Sequence, residues 1–190
     1  MNLPNKLTLM RIILVPFFAW MLLWEALPNN NLIALIIFSI ASITDMLDGK
    51  IARKYNMVTD FGKFADPLAD KILVISAFAC FVQLDIMGAA IMIIVLFREF
   101  TVTSIRLVAA ENGKVVAANM WGKAKTVSQM IAIIVVMLNS WLTEIAVIST
   151  GFTDVVYIIN QSVLWISAVL TIISGIIYIK DNFQFIKNAG

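Results

Sequence analysis

Four aspartates, arranged in two pairs, are the side chains of this sequence best suited to chemistry. Asp45 and Asp48 are three residues apart, so they share one face if their segment is helical. Asp66 and Asp70 are four residues apart and would share a face in the same way. The intervening stretch 54–62 is predicted to reverse the chain, which would make the two helices antiparallel neighbours. The spacing therefore predicts four carboxylates that converge at one place.

Carboxylates that converge in this way repel one another, and divalent cations are the simplest compensation. The sequence contains no histidine and a single cysteine, Cys80. Ligation would therefore be all-oxygen, which favours Mg²⁺, Mn²⁺ or Ca²⁺ over zinc. Two metal ions bridged by carboxylates are a common device for displacement at phosphorus. Gly49 and Gly62 would leave backbone space for a bulky ligand beside the metal ions.

The elements that carry these aspartates are predicted to be membrane helices. The chain has 190 residues, of which 61% are hydrophobic and only 14% are charged, whereas soluble domains are charged at roughly a quarter of their positions. We expect one domain, 1–190, of the all-α class: a polytopic membrane protein with six transmembrane helices and a polar cavity that faces the cytoplasm. The six apolar segments are Ile12–Trp24, Leu32–Ile43, Ile72–Leu84, Ile86–Phe97, Ile131–Leu142 and Val155–Ile179.

Only the last apolar segment is long enough to cross ~30 Å of hydrocarbon unaided. The others continue without a helix breaker into polar stretches, such as 44–53 and 98–107, which must face a cavity or each other. At the entry to the third segment, Asp66 is expected near the N-cap and Pro67 in the first helical turn. Turns between segments are predicted at 29–31, 85–88 and 140–154.

Charge is distributed very unevenly between the two sides of such a protein. With six alternating spans, all fourteen lysines and arginines fall on the side of the two termini. The other side carries only acidic residues, namely Glu25, Asp85, Glu144 and Asp154. This is the positive-inside pattern, so both termini and the polar half-helices are expected in the cytoplasm. In a bacterium the membrane would be the plasma membrane.

The aspartates belong to a longer pattern that resembles the signature of the CDP-alcohol phosphatidyltransferases. The matching residues are Asp45-x2-Asp48-Gly49-x2-Ala52-Arg53-x8-Gly62-x3-Asp66-x3-Asp70. The resemblance implies a site for two divalent cations, Mg²⁺ or Mn²⁺, held by the four aspartates. It also implies that Asp70 acts as general base on the acceptor hydroxyl. The CDP-lipid would be bound by Gly49, Ala52, Arg53 and Gly62.

A second polar region, 98–126, indicates the acceptor. It contains five basic residues, Arg98, Arg106, Lys114, Lys123 and Lys125, and Arg53 and Lys63 are expected nearby. Positive charge of this density suits a phosphorylated acceptor, because Arg and Lys make charge-assisted bonds to phosphate. We expect Arg98, Arg106, Lys123, Lys125 and Lys63 to bind that phosphate.

Three short elements are similar to the phosphatidylglycerophosphate synthase branch of the family. They are Arg98-Glu99-Phe100, Gly122-Lys123-Ala124-Lys125-Thr126 and Pro4-Asn5-x2-Thr8-x2-Arg11. The resemblance implies transfer of a phosphatidyl group from CDP-diacylglycerol to glycerol 3-phosphate. It also implies that Asn5 and Thr8, with Arg11, contact the nucleotide or close the site, and that the protein forms a homodimer among membrane lipids, without nucleic acid.

Several alternatives compete with these interpretations. The lysines of the second polar region could serve only topology and contact with anionic lipids, and Glu99 could simply pair with a basic neighbour. The acceptor could be inositol phosphate, serine or another alcohol. A membrane transporter is the alternative from another functional class, because aspartates within membranes also mark ion pathways.

Overall fold

A computed structural model describes residues 3–54, 60–111, 119–147 and 150–184. Side chains are described for the same residues except 3–4, 45–54, 60–67, 70, 111 and 150. The described residues are all helical or in turns, in agreement with the all-α prediction. The helices are α1 (Leu3–Leu23), α2 (Asn30–Lys54), α3 (Asp60–Gln83), α4 (Ala89–Glu111), α5 (Met120–Glu144) and α6 (Thr153–Asp181), with one 3₁₀ turn at Thr150–Phe152.

The apolar segments do continue into the polar stretches that follow them. The second segment becomes part of α2, which runs on through 44–53 to Lys54. The fourth becomes part of α4, which runs through 98–107 to Glu111. Both predictions are confirmed, and they place charged residues on the same continuous helices as the apolar runs.

Three predicted boundaries differ from the structure. α3 begins at Asp60, so the prediction of Asp66 near the N-cap and Pro67 in the first turn was wrong; local N-terminal signals are weak where a helix packs against a neighbour. α2 begins at Asn30, which leaves only Asn29 of the predicted 29–31 turn outside the helices, with a φ of 57°. α5 extends to Glu144, so the connection between the last two long helices is shorter than the predicted stretch 140–154.

In the part of the chain that the structure describes, three helices are long and apolar enough to cross a membrane. They contain the stretches Asn5–Leu23, Met120–Glu144 and Thr153–Asp181. The other helices have 23 to 25 residues, which corresponds to about 35 Å or more of length, but their polar stretches lower their mean hydropathy. The apolar parts of α2 and α3 are Asn30–Thr44 and Lys71–Gln83.

The helices pack around a core of aliphatic and aromatic side chains. α1 packs against α2 and α3, and α6 packs against α4 and α5. Phe18 of α1 and Phe38 of α2 are fully buried, with ring centroids 5.8 Å apart. Polar side chains also connect α5 to α6: Asn139 Nδ2 donates to Asn160 Oδ1 at 2.7 Å. In apolar surroundings such bonds fix the position of one helix against the next.

The two ends of the bundle differ in charge. At one end, Glu144 of α5 accepts hydrogen bonds from the Asn29 backbone and the Asn31 side chain. At the same end Gln161, near the start of α6, donates to the Ile86 carbonyl in the α3–α4 turn at 2.8 Å. We call this the acidic end, because its connections carry Glu25, Asp85, Glu144 and Asp154. The opposite end, where α2, α4 and α6 finish and α3 and α5 begin, is the basic end.

Candidate active site

A cavity of about 550 Å³ opens at the basic end between α3, α4, α5 and α6. Five of the residues that line it are basic: Lys71, Arg98, Arg106, Lys123 and Lys125. Among the described side chains, Glu99 is the acidic residue of the lining. With Lys and Arg charged and Glu99 ionised, these six side chains carry a net charge of +4. An anionic ligand is therefore the chemistry that this cavity favours.

Glu99 of α4 is the centre of an ion cluster in the wall of the cavity. Its Oε1 accepts hydrogen bonds from Arg98 Nη1 at 3.0 Å and from Lys125 Nζ. Lys71 Nζ lies 3.9 Å from the other carboxylate oxygen and donates to Thr103 Oγ1. Glu99 and Lys125 are 7% and 6% exposed, so the interactions within the cluster are only weakly screened by solvent. Glu99 does pair with basic neighbours, which the sequence had offered as an alternative.

Arg98 is held on its other side by α6. Its Nη2 donates to Ser174 Oγ at 2.8 Å. Its aliphatic stem passes over Gly175, where an added Cβ would lie only 3.2 Å from Arg98 Cγ. Arg98 Nε is buried and has no hydrogen-bond partner among the described residues. The guanidinium is thus fixed in position between α4 and α6, while its Nε stays buried and unpaired among the described residues.

Arg106 and Lys123 are the more exposed cations of the cavity. Arg106 Nε donates to the Tyr178 hydroxyl at 3.1 Å, and its guanidinium carbon lies 5.6 Å from the centre of the Tyr178 ring. Tyr178 is buried near the end of α6. Arg106 is therefore oriented by an aromatic side chain, whereas Lys123 projects from the first turn of α5.

The Gly122–Thr126 element forms the first turns of α5. Asn119 is the N-cap, and its Oδ1 accepts a hydrogen bond from the Gly122 backbone at 2.8 Å. The other end of this amide, Asn119 Nδ2, is buried and has no hydrogen-bond partner in the described part of the chain. Because helix N-termini carry partial positive charge, the start of α5 adds to the field of the lysines.

The predicted N-terminal site residues lie on the buried side of α1. Asn5, Thr8 and Arg11 are 7%, 0% and 1% exposed. They are three residues apart in sequence, so they form one row on the helix. The neighbours of α1 in the bundle are α2 and α3, the two helices that carry the aspartates. This row is therefore positioned to contact those helices, and its role in nucleotide binding stays a prediction.

The aspartates lie in the helices as expected, but their side chains are outside the described residues. Asp45 and Asp48 are in the last part of α2, and Asp66 and Asp70 are in the first half of α3. Both segments are on the basic-end side of their helices. The same limit applies to the side chains of Ala52, Arg53 and Lys63 and to the surroundings of Gly49 and Gly62, and Lys114 lies outside the described residues altogether. Among the described side chains, no group of three or more His, Cys, Asp or Glu residues could hold a metal ion.

Some residues of the cavity had no clear signal in the sequence. The position of Lys71 directly after Asp70 could have suggested that it belongs to the site. Its contact with Glu99, however, joins residues on different helices and has no signal in the sequence. Asn119 and Tyr178 look like ordinary loop and core residues. Only their proximity to Gly122 and Arg106 makes them part of the site.

Comparison with known proteins identifies the family. The family model described as CDP-alcohol phosphatidyltransferase matches residues 1–173. A protein of Bacillus subtilis named CDP-diacylglycerol–glycerol-3-phosphate 3-phosphatidyltransferase is 43% identical to this chain, over 99% of this chain and 98% of its own length.

Two further relatives bear the same name. That of Rickettsia felis is 37% identical over 94% of each chain. That of Haemophilus influenzae is 35% identical, over 96% of this chain and 98% of its own length. The family match, the near-complete coverage of these relatives and the long apolar helices agree with one another, and the chain belongs to the CDP-alcohol phosphatidyltransferase family of membrane enzymes.

Proposed function

We propose that this protein transfers the phosphatidyl group of CDP-diacylglycerol to glycerol 3-phosphate, giving phosphatidylglycerophosphate and CMP. The observation that carries the choice of acceptor is the cavity at the basic end, whose described lining has five basic residues and one carboxylate. An uncharged acceptor such as inositol or glycerol would not compensate that charge, whereas a phosphate would. The names of the relatives support the same acceptor.

Two buried donors support binding of an acceptor group in this cavity. Arg98 Nε and Asn119 Nδ2 both belong to lining residues, and neither has a partner among the described residues. A buried donor without a partner costs about 1–3 kcal/mol. Phosphate oxygens would satisfy both donors once these side chains turn toward the cavity, and Arg106 and Lys123 would add two exposed cations at its entrance. Lys63, predicted from sequence, would join them.

The family generally depends on divalent metal ions, and the residues of this chain fit such ions. The donors are carboxylates without histidine or a nearby cysteine, which suits Mg²⁺ or Mn²⁺. We propose that Asp45, Asp48, Asp66 and Asp70 hold two cations between α2 and α3. When bound, the cations would neutralise the pyrophosphate and stabilise CMP as it leaves.

The reaction would be a direct displacement. The acceptor hydroxyl oxygen forms a bond to the phosphatidyl phosphorus, and the bond from that phosphorus to the oxygen bridging it to CMP breaks. CMP leaves with the bonding electrons, and Asp70 takes the hydroxyl proton, a contribution of typically 10²–10⁴-fold. Lys71, which follows Asp70 in α3, lines the cavity, and we propose that the acceptor phosphate binds at this end of α3.

The other parts of the site would bind the donor lipid. Asn5 and Thr8 lie on the buried side of α1, and we propose that they contact the CDP moiety. The same role is proposed for the signature residues Gly49, Ala52, Arg53 and Gly62. We also propose a single six-span domain, 1–190, with both termini and the cavity in the cytoplasm, which forms a homodimer among membrane lipids.

The test is a transfer assay with the purified protein in detergent. CDP-diacylglycerol and Mn²⁺ or Mg²⁺ would be supplied with glycerol 3-phosphate, inositol phosphate or serine, and CMP and lipid product would be measured together. We expect equal amounts of CMP and phosphatidylglycerophosphate with glycerol 3-phosphate, and loss of both after chelation. Preference for serine or inositol phosphate would refute the acceptor, and no CMP release with any acceptor would favour the transporter.

A further inference from the structure

We propose that Glu99 is a positioning residue for the acceptor phosphate, which fixes Arg98 and Lys125 at the spacing that the phosphate requires. This inference rests on the proposed function, since it assigns a role within the same cavity. Glu99 does not need to touch the substrate. It would act through the two cations that share its Oε1.

The geometry of the cluster brings both cations to one point. Arg98 comes from the same helix as Glu99, whereas Lys125 comes from α5 and lies 26 positions further along the chain. Without a carboxylate between them, these two positive charges would repel each other strongly, because both side chains are largely buried and solvent screens them little. With it, the guanidinium and ammonium groups share one oxygen and are held close together.

The shared oxygen leaves donors on both cations for a ligand. Lys125 has three N–H groups and uses one on Glu99. Arg98 uses Nη1 on Glu99 and Nη2 on Ser174, and its Nε has no partner among the described residues. Glu99 thus constrains the direction of both side chains without occupying all of their donors.

Charge balance points to the same role. Lys71, Arg98 and Lys125 around Glu99 leave a local net charge of +2. A phosphate dianion neutralises that charge. Without Glu99, the positive charge of the three cations would exceed the negative charge of the phosphate. Within this buried cluster, which does not include Arg106 and Lys123 of the same cavity, the carboxylate therefore sets a net charge equal and opposite to that of a phosphate monoester.

The first test is Glu99→Gln, which keeps the shape but replaces charge-assisted bonds with weaker neutral ones. We expect the KM for glycerol 3-phosphate to rise about tenfold, with kcat and the KM for CDP-diacylglycerol within about twofold, as for loss of one charge-assisted bond. Asp154→Asn, an exposed acid at the other end of the bundle, is the matched control and should change nothing. An unchanged KM, or an equal rise in both KM values, would overturn the proposal.

A double-mutant cycle separates positioning from general structural support. If Glu99 acts through Lys125, the double variant Glu99→Gln/Lys125→Met should have a KM for glycerol 3-phosphate within about threefold of the KM of Lys125→Met alone. Multiplication of the two single effects would contradict a role through Lys125. The double variant replaces a buried charged pair with a neutral one, so it is expected to fold even if Glu99→Gln leaves Lys125 uncompensated.

A third experiment measures the binding of inorganic phosphate by calorimetry, without turnover. Its result tests the role of Glu99 whichever acceptor the enzyme uses. We expect the wild-type protein to bind phosphate and Glu99→Gln to bind it about tenfold more weakly. If the wild type binds phosphate but does not use glycerol 3-phosphate, the proposed acceptor fails while this inference holds. Equal phosphate affinity in both proteins, or none in the wild type, would refute it.

Discussion

Replacing Gly175 with alanine should weaken acceptor binding without destabilising the fold. The new Cβ would lie 3.2 Å from Arg98 Cγ, whereas carbon atoms prefer a separation of about 3.5–4.0 Å. The Arg98 stem must therefore move by a few tenths of an ångström. It cannot do so freely, because its two terminal nitrogens are bonded to Glu99 at 3.0 Å and to Ser174 at 2.8 Å.

The size of the effect follows from that constraint. Moving the stem while the head is held pushes the side chain off its rotamer, which costs about 0.5–1.5 kcal/mol. If the head moves instead, hydrogen bonds to a charged group are weakened by a similar amount. The first cost falls on the stability of the fold, whereas the second weakens acceptor binding and corresponds to a rise of roughly two- to tenfold in the KM for glycerol 3-phosphate. Alanine within a helix is favoured over glycine by about 0.5–1 kcal/mol, so thermal stability should be nearly unchanged.

The assay is steady-state transfer with each substrate varied in turn, together with thermal unfolding in the same detergent. Gly88→Ala and Gly151→Ala are matched controls, because an added Cβ at either position meets no atom within 4 Å. We expect a selective rise in the KM for glycerol 3-phosphate only in Gly175→Ala. An unchanged KM for Gly175→Ala, at normal stability, would show that the position of Arg98 does not limit acceptor binding.

Three further changes test other parts of the site. Asp70→Asn should reduce turnover by 10²-fold or more yet retain metal-dependent CDP binding, and loss of that binding would contradict a role as base. Arg106→Ala should raise the KM for glycerol 3-phosphate about tenfold or more through loss of a charge-assisted bond, and Lys180→Ala, outside the cavity lining, should not. Asn160→Leu removes the hydrogen bond from Asn139 and should lower the free energy of unfolding by about 0.6–1.7 kcal/mol. The KM values should not change, and an altered KM would link that bond to the site.

The helical framework was predictable because it depends on local properties of the chain. Hydrophobic segments followed by polar stretches without a breaker predicted that α2 would pass 44–53 and that α4 would pass 98–107, and both do. The start of α3 was not predictable in this way. Asp66 and Pro67 resemble an N-terminus in sequence, but the helix already begins at Asp60, since packing outweighs local capping preferences.

The candidate site was predictable in its residue types and less so in its contacts. Charge density alone indicated that Arg98, Arg106 and Lys125 would gather, and all three line one cavity. That Glu99 would bind Lys125 could not be inferred, because the pair joins two helices whose relative rotation is set by core packing. The same holds for Ser174, which looks in sequence like any small residue of a packed helix.

The packing of α1 against both α2 and α3 has a consequence for how the protein is made. The ribosome delivers α1 before α2 and α3, so α1 is in the membrane before the two aspartate-bearing helices can pack against it. An N-terminal truncation that removes Asn5 and Thr8 would leave all four aspartates in the chain, but it would delete two buried side chains of the helix that packs against α2 and α3. Expression strategies that shorten or mask the first residues should therefore yield protein that inserts into the membrane but does not mature into active enzyme.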